Sequence, residues 1–578
     1  MSLTDPIRHR AAWLRRVRPW RRSRALAGAV LVLGLTSPAA AQRVAGHGDD
    51  AIQLPKGSWR VRIGGRWDQA SERIDDVSAN GRVPLGALFA RDSIGPEALP
   101  VLANAQAAAR RLTGLSDLSL SIGRLDAALT QRVVRLPIAI EVGLTRRLAI
   151  GVSTAYVETR ALPDFRLNAD GTTGAFGPNP ARTTNFSAEA TRNTGALTRT
   201  LQAARTALEQ RLTACLGNAA VDAACPLILA ERAQVDAILA GTATMSADLR
   251  TLYGVTPGTG APAVPIAGST IDRLIGARLR GYGKDFSRYG ITADTLLAAN
   301  PSFSRTRYGT GGLQAILRDT AYGVRADSLR AVRRYGMTDV DLTASWLVLD
   351  QISRGNRAPL ARFDAPRRFA VRTLIEGGWR FGGAAAERPG DPLDVPLGAG
   401  TSALLVRSST DVILSDRAWA TATVRAVLPR EDVVSTRLPS IDAPFFATDA
   451  STGPAQRTLG RTIDVEFAPR MALTRALGLS ALWTWRTRAA DRYVPVPVAG
   501  APARTGTIDG LTAGTAQQEQ RISLGVTYST LAPFAQGRSK HAVELLYEHS
   551  EPITGSGRFP AFAADRFEVR WYPGYARR

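Results

Sequence analysis

Cysteine, histidine and lysine are all scarce in this 578-residue chain, which holds two, four and three of them. So few Cys and His, with no paired spacing among them, leave nothing from which a structural zinc site or a haem attachment could be built, and neither metal nor cofactor is expected. The 73 basic residues are therefore nearly all arginine, set against 50 acidic ones for a net charge of +23. Eight of those arginines, with one aspartate, fall in residues 1–41; the remainder are interspersed with carboxylates. Without a basic stripe or a recognisable motif, nucleic acid is not an expected partner. Beyond residue 41 no apolar run approaches the roughly 18 residues that a transmembrane helix needs, so any passage through a bilayer must be made by strands.

The first 41 residues read as a secretory signal peptide. Arg8 to Arg24 supply a positive n-region, Ala25 to Leu35 an apolar core too short to span a bilayer, and Ser37-Pro38-Ala39-Ala40-Ala41 a small-residue cleavage site. Residues 42–57 follow as a periplasmic N-terminal tail. Export places Cys215 and Cys225 in an oxidising compartment, where a disulfide is the simplest outcome.

The body of the chain alternates. In Trp59-Arg60-Val61-Arg62-Ile63-Gly64-Gly65-Arg66-Trp67 the odd positions are apolar or glycine and the even ones arginine or glycine, a strand with one greasy and one polar face. Val134 to Leu144 continues through Thr145-Arg146-Arg147 into Leu148 to Tyr156; similar hairpins turn at Ser415-Asp416-Arg417 and Thr474-Arg475. Further alternating runs bring the count to twelve, or fourteen if a strand pair is hidden in 117–130 or 351–366. Links are long and short by turns, and the eight tryptophans of the mature chain fall in proposed strands, all but Trp346 near a strand end, as an interfacial girdle requires. The expected fold is an all-β transmembrane antiparallel β-barrel with an α-helical insertion, in the cell outer membrane. Residues 58–160 hold its first three strands, 161–338 the insertion and 339–578 the remaining strands. A secreted β-sandwich is the rival, but its strands are shorter and its outward faces less uniformly Val, Ile, Leu and Trp.

With the apolar face in lipid, the opposite face lines a lumen. Arg60, Arg62, Arg135, Glu141 and Asp341 point inward, followed along the chain by Arg372, Glu376, Arg407, Asp411 and Asp464, and then by Glu466, Arg470, Arg521, Glu544 and Arg570. Facing ladders of arginine and carboxylate either lock such a lumen shut or line a wet, slightly anion-favouring pore. In the insertion, Leu197, Leu201, Ala204, Leu208 and Leu212 mark one helical stripe, and Ile228 to Leu252 a second that starts beside Pro226. The two form an antiparallel hairpin stapled by Cys215 and Cys225. Short helical segments are expected at Thr292 to Ala299, Gly312 to Arg318 and Asp327 to Arg334.

The stretch Glu141-Val142-Gly143-Leu144-Thr145-Arg146-Arg147-Leu148 resembles the glycine-leucine-threonine-x-arginine-leucine turn of outer-membrane transporters similar to those of phenol meta-pathway operons and to fatty-acid transporters. Tyr335 to Leu342 and Asp394-Val395-Pro396-Leu397-Gly398-Ala399-Gly400 resemble further pieces of that pattern, in order. The resemblance implies a barrel that passes small molecules, apolar or aromatic ones among them, with outer-membrane lipid and the barrel-assembly machinery as partners; it transfers no functional residue. Two departures stand out. Asn179-Pro180-Ala181 lies in the insertion and not near the mature N-terminus, and the chain ends in Arg577-Arg578 and not on an aromatic. Catalysis is not expected, since only His541 and His549 are placed to act, and His549 and Ser550 point to opposite faces of a strand. The remaining rival is a closed barrel whose helical insertion is a surface-binding or structural module.

Overall fold

The computed structural model describes residues 50–574, apart from 76–80, 170–173, 294–295, 297–303, 320–328, 352–368, 387, 389–390, 392, 416, 438–451, 501–508 and 513. The signal peptide, residues 42–49 of the tail, most of the helix expected at Thr292 to Ala299, and all but residue 351 of the link at 351–366 lie outside the described residues.

Twelve strands close an antiparallel barrel: β1 (Trp59–Ala70), β2 (Leu125–Gly143), β3 (Leu148–Leu167), β4 (Val340–Asp350), β5 (Ala370–Phe381), β6 (Ala403–Ile413), β7 (Ala418–Pro429), β8 (Thr462–Ala472), β9 (Leu477–Arg488), β10 (Gln517–Ser529), β11 (Val543–Ser556) and β12 (Ala563–Trp571). Each pairs with its chain neighbour, and β12 returns to β1 with Arg62 opposite Arg570 and Arg66 opposite Arg566. Segment 117–130 adds no strand pair; its C-terminal part extends β2. The tight turns form for a local reason. Thr145 Oγ accepts hydrogen bonds from the backbone N–H groups of Arg147 and Leu148, Thr474 Oγ from those of Ala476 and Leu477, and Ser415 Oγ from those of Arg417 and Ala418.

Alternation sets the faces. Ile63, Leu136, Ile138, Ile150, Val152, Leu342, Phe467, Ile522, Leu524 and Phe567 are exposed on the outside. Trp59, Trp67, Trp346, Trp483 and Trp571 are exposed with them, while Trp419 departs from the expected girdle: it turns inward and is buried against Ile413 and Ala472. Position near a strand end does not choose a face; parity does, and Trp419 shares the parity of the inward Thr421 and Thr423. A closed antiparallel barrel with an even strand number, tight turns at one end, long links at the other and an apolar outer band is an outer-membrane barrel.

β2 and β3 reach 19 and 20 residues, well beyond their neighbours, so β3 runs to Leu167, past the boundary expected at 160. The surplus carries a cap. One apolar core joins the inward-facing Leu125, Leu129, Ala161 and Phe165 of these strands to α1 (Ala103–Thr113), α2 (Ser187–Gly217), α3 (Cys225–Ala230), α4 (Arg232–Tyr253), α5 (Thr270–Arg288) and α6 (Thr310–Arg318). The helical hairpin is as expected, with Cys215 bonded to Cys225, but it has partners: α4 packs on both α1 and α5. Of the Asp327 to Arg334 segment expected to be helical, Val332–Met337 is a strand paired with Tyr156–Ala161 of β3. Its alternation, with Arg333, Tyr335 and Met337 exposed on one face and Val332, Arg334 and Gly336 half-buried on the other, suits the sheet edge that the long β3 leaves free. α1 and α5, which lie in regions left unassigned or read as loop, had legible signals. α1 is an alanine-rich run closed by Gly114 in the left-handed conformation, and Ser269 caps α5 by accepting from the Asp272 N–H.

Candidate functional site: the barrel lumen

The turn end of the lumen is filled. Residues Asp50 to Pro55, expected as tail, enter the barrel: Ala51, Gln53 and Leu54 are buried, Ser345 Oγ donates to Gln53 Oε1 at 3.3 Å, and Asp50 lies 3.7 Å from Arg570. Leu54, with Ile52, packs on Leu531, Phe534, Ala542 and Tyr572, so the helix α7 (Leu531–Ala535) and the C-terminal residues close the same mouth. Entry is permitted by Gly143, where a Cβ would stand 2.1 Å from the Pro55 carbonyl oxygen. That is the glycine that opens the turn motif singled out in the sequence.

Around this segment six of the fifteen expected lumen residues, Arg60, Arg372, Asp411, Arg470, Glu544 and Arg570, form a buried polar network. Arg60 Nε donates to Glu141 at 2.9 Å, Arg470 to Thr421 Oγ at 2.7 Å, and Thr421 in turn to Asp411 at 2.5 Å. Tyr572 Oη donates to Glu544 at 2.6 Å, and Arg372 meets Asp350 at 3.4 Å. Glu568 gathers three guanidinium groups, Arg62 at 3.1 Å, Arg570 at 2.6 Å and Arg566. At effective interior dielectric a buried charge is held best where it has several partners, as Glu568 does.

Towards the loop end the lumen opens into two neighbouring cavities. The larger, of about 840 Å³, is faced by Arg62, Arg135, Glu141, Asp341, Glu376 and Arg407 of the expected set; the smaller, of about 240 Å³, by Glu466 and Arg521. Asp464 faces neither, being covered by Arg486 and Arg425. Arg425 and Arg566 border both cavities. Here too the guanidiniums are matched, across strands for Arg380 with Asp341 at 2.7 Å, Arg407 with Glu376 at 2.7 Å and Arg135 with Asp68, and along one strand for Arg521 with Glu519 at 2.8 Å.

Sequence reasoning missed the opposite wall of the large cavity. Segment 383–400, a long link, folds inward and sets Leu397 and Ala384 against Val133, Ala155 and Val157 of β2 and β3. Phe562 packs on this patch and on the core of the cap, tying the two together. The cap thus stands over the mouth on the inner faces of β2 and β3. Asn179 fixes its base, donating to the Ala261 carbonyl at 2.8 Å and accepting from the Ala181 N–H at 3.0 Å. Outside the membrane band, burial raises the Tyr253 hydroxyl well above its ordinary pKa, and burial together with the bond to Glu231 pushes Tyr289 up to about 12. His549 lies outside the lumen, 2.9 Å from Asp565, back to back with the inward Ser550.

No protein-family model and no curated protein matches the sequence. Among solved structures, an outer membrane channel from Pseudomonas putida F1 is 7% identical with a TM-score of 0.39, covering 91% of this chain and 100% of its own. A Pseudomonas aeruginosa FadL homologue is 8% identical at a TM-score of 0.25, with coverages of 89% and 90%. The Pseudomonas putida toluene transporter TodX is 9% identical at 0.23, covering 90% of each chain. Likeness of this order concerns architecture and transfers no function.

Proposed function

We propose that the protein is an outer-membrane channel for passive uptake of small molecules, including ones with apolar or aromatic bodies. The observation that carries this reading is the cavity of about 840 Å³ inside a lipid-embedded barrel, with ion-paired arginines on one side and the Val133, Ala155 and Leu397 patch on another. A cargo enters beneath the cap, rests its apolar body on that patch, and leaves through the turn end when residues 50–55 move aside; diffusion down a gradient is the only drive. Paired charges leave the lumen wet and weakly selective.

A second reading, a non-conducting barrel whose cap carries the interaction, is favoured by the closure of the turn end by Leu54, Phe534 and Tyr572. Single-channel conductance of refolded mature protein, beside a version lacking residues 42–57, separates the two. Conductance that rises on truncation supports the channel; silence from both, with β-sheet circular dichroism and heat-modifiable mobility intact, moves the function to the cap.

A further inference from the structure

Two of the sequence stretches that resemble transporter motifs, Tyr335 to Leu342 and Asp394 to Gly400, lie apart in the chain, and of them only Asp341 belongs to the cross-strand ion-pair ladders. The fold brings them together. β4 and the strand Val332–Met337 run along β3 one after the other, interrupted at Thr338-Asp339, where the Thr338 N–H still bonds the Ala155 carbonyl at 2.8 Å. The interruption turns Asp339 towards the lumen, where it is buried. Its Oδ1 accepts from the backbone N–H groups of Gly383 and Ala384, both at 3.1 Å, and its Oδ2 from that of Ala399 at 3.0 Å. One carboxylate therefore grips both ends of the inward-folded segment. Asp394 holds the middle by pairing with Arg334 and accepting from the Arg388 N–H at 2.8 Å, and Thr159 Oγ donates to the Val395 carbonyl at 3.2 Å. Gly398 belongs to the same fit: a Cβ there would lie 2.6 Å from Thr338 Oγ and 2.7 Å from the Ala384 Cβ.

Between these anchors Val395, Pro396 and Leu397 form a wall of the large cavity. We propose that Asp339 is a specificity-determining positioning residue: by pinning 383–400 it fixes the cross-section of the lumen and presents the apolar wall to the cargo. The inference rests on the channel reading and deepens it. An unlatched segment swings out as an ordinary surface loop, which widens the lumen and removes the Leu397 face. Backbone N–H groups bonded to a buried carboxylate are charge-assisted, and each such bond lost shifts the latched-to-free ratio by about tenfold or more.

The test compares refolded mature wild type with Asp339→Ala and Asp339→Asn. Asparagine keeps one accepting oxygen, so it holds one end of the segment and serves as the milder variant if the alanine protein does not refold. Hydrogen–deuterium exchange in detergent reads the latch; conductance and liposome swelling with arabinose and raffinose read the filter. The expected result is exchange across 383–400 faster by about tenfold or more in Asp339→Ala, smaller acceleration in Asp339→Asn, higher conductance, and a raised raffinose-to-arabinose rate ratio. A conducting wild type whose folded variants match it in exchange, conductance and size cut-off would overturn the proposal and leave the channel standing. Silence from all three proteins despite faster exchange would overturn the channel reading, and the filtering role with it.

Discussion

At Gly143 the absence of one carbon decides whether the turn end of the lumen is plugged, because the Pro55 carbonyl occupies the space a side chain would take. Gly143→Val is therefore expected to displace residues 50–55 without unfolding the barrel, and conductance above wild type at unchanged heat-modifiable mobility is the check. Glu568 shows the opposite dependence, of several groups on one. It is the shared counter-ion of Arg62, Arg566 and Arg570, so Glu568→Gln leaves three cations around a neutral amide. Breaking a buried pair from one side costs about 3 to 5 kcal/mol, and urea unfolding in detergent should show a loss of that order. Gly143 is visible in the sequence as a turn glycine, and Glu568 shares the strand parity of the inward Arg570. Their partners are not visible there, because Pro55 reaches Gly143 through a segment with no periodicity, and the convergence on Glu568 depends on barrel closure between the first and last strands.

Among elements, the helical hairpin was the most legible, since its two stripes and its cysteines share one short stretch. Closing that loop contributes about 2 to 3 kcal/mol in the chain-entropy account, so Cys215→Ser with Cys225→Ser should lower the unfolding free energy of the cap by that amount while the barrel keeps its heat-modifiable shift. Tyr289, buried and donating to Glu231 at 2.8 Å, adds a pH dependence. Its folded pKa, about 12, lies above the ordinary 10.0, so the stability it contributes is fully present below pH 10.0 and is lost between there and about 12 as the hydroxyl ionises against the Glu231 carboxylate. Loss of near-ultraviolet dichroism of the cap in that window, moved or abolished in Tyr289→Phe, is the expected outcome. α1 and α5 complete the same core, and the barrel strands β2 and β3 are long because their surplus length is the platform on which it sits.

The whole molecule is a lipid-facing shell around a filled lower half and a hollow upper half. Its outer band exposes Trp59, Trp67, Trp346, Trp483 and Trp571, whereas Trp419 lies inside with Ile413 and Ala472. In vesicles containing brominated lipid, Trp67→Phe should reduce the quenchable fraction of tryptophan fluorescence and Trp419→Phe should raise it, because the residue removed is shielded from the quencher. Equal changes from the two variants would contradict the assigned faces.

The sequence alone determined an antiparallel barrel of twelve or fourteen strands, the alternation of faces along each strand, the tight turns and the disulfide, because these rest on period-two alternation, side chains that cap their own turns, and two cysteines ten residues apart. Tertiary structure decided what fills the barrel. Residues 50–55, segment 383–400 and the cap enter or cover the lumen through contacts such as Asp50 with Arg570, Asp339 with Ala399 and Phe562 with the cluster around Leu397 and Val133, each joining stretches that carry no pattern naming the other. Alternation fixes which side chains face inward; only closure of the twelve strands fixes which of them meet, and how much room they leave.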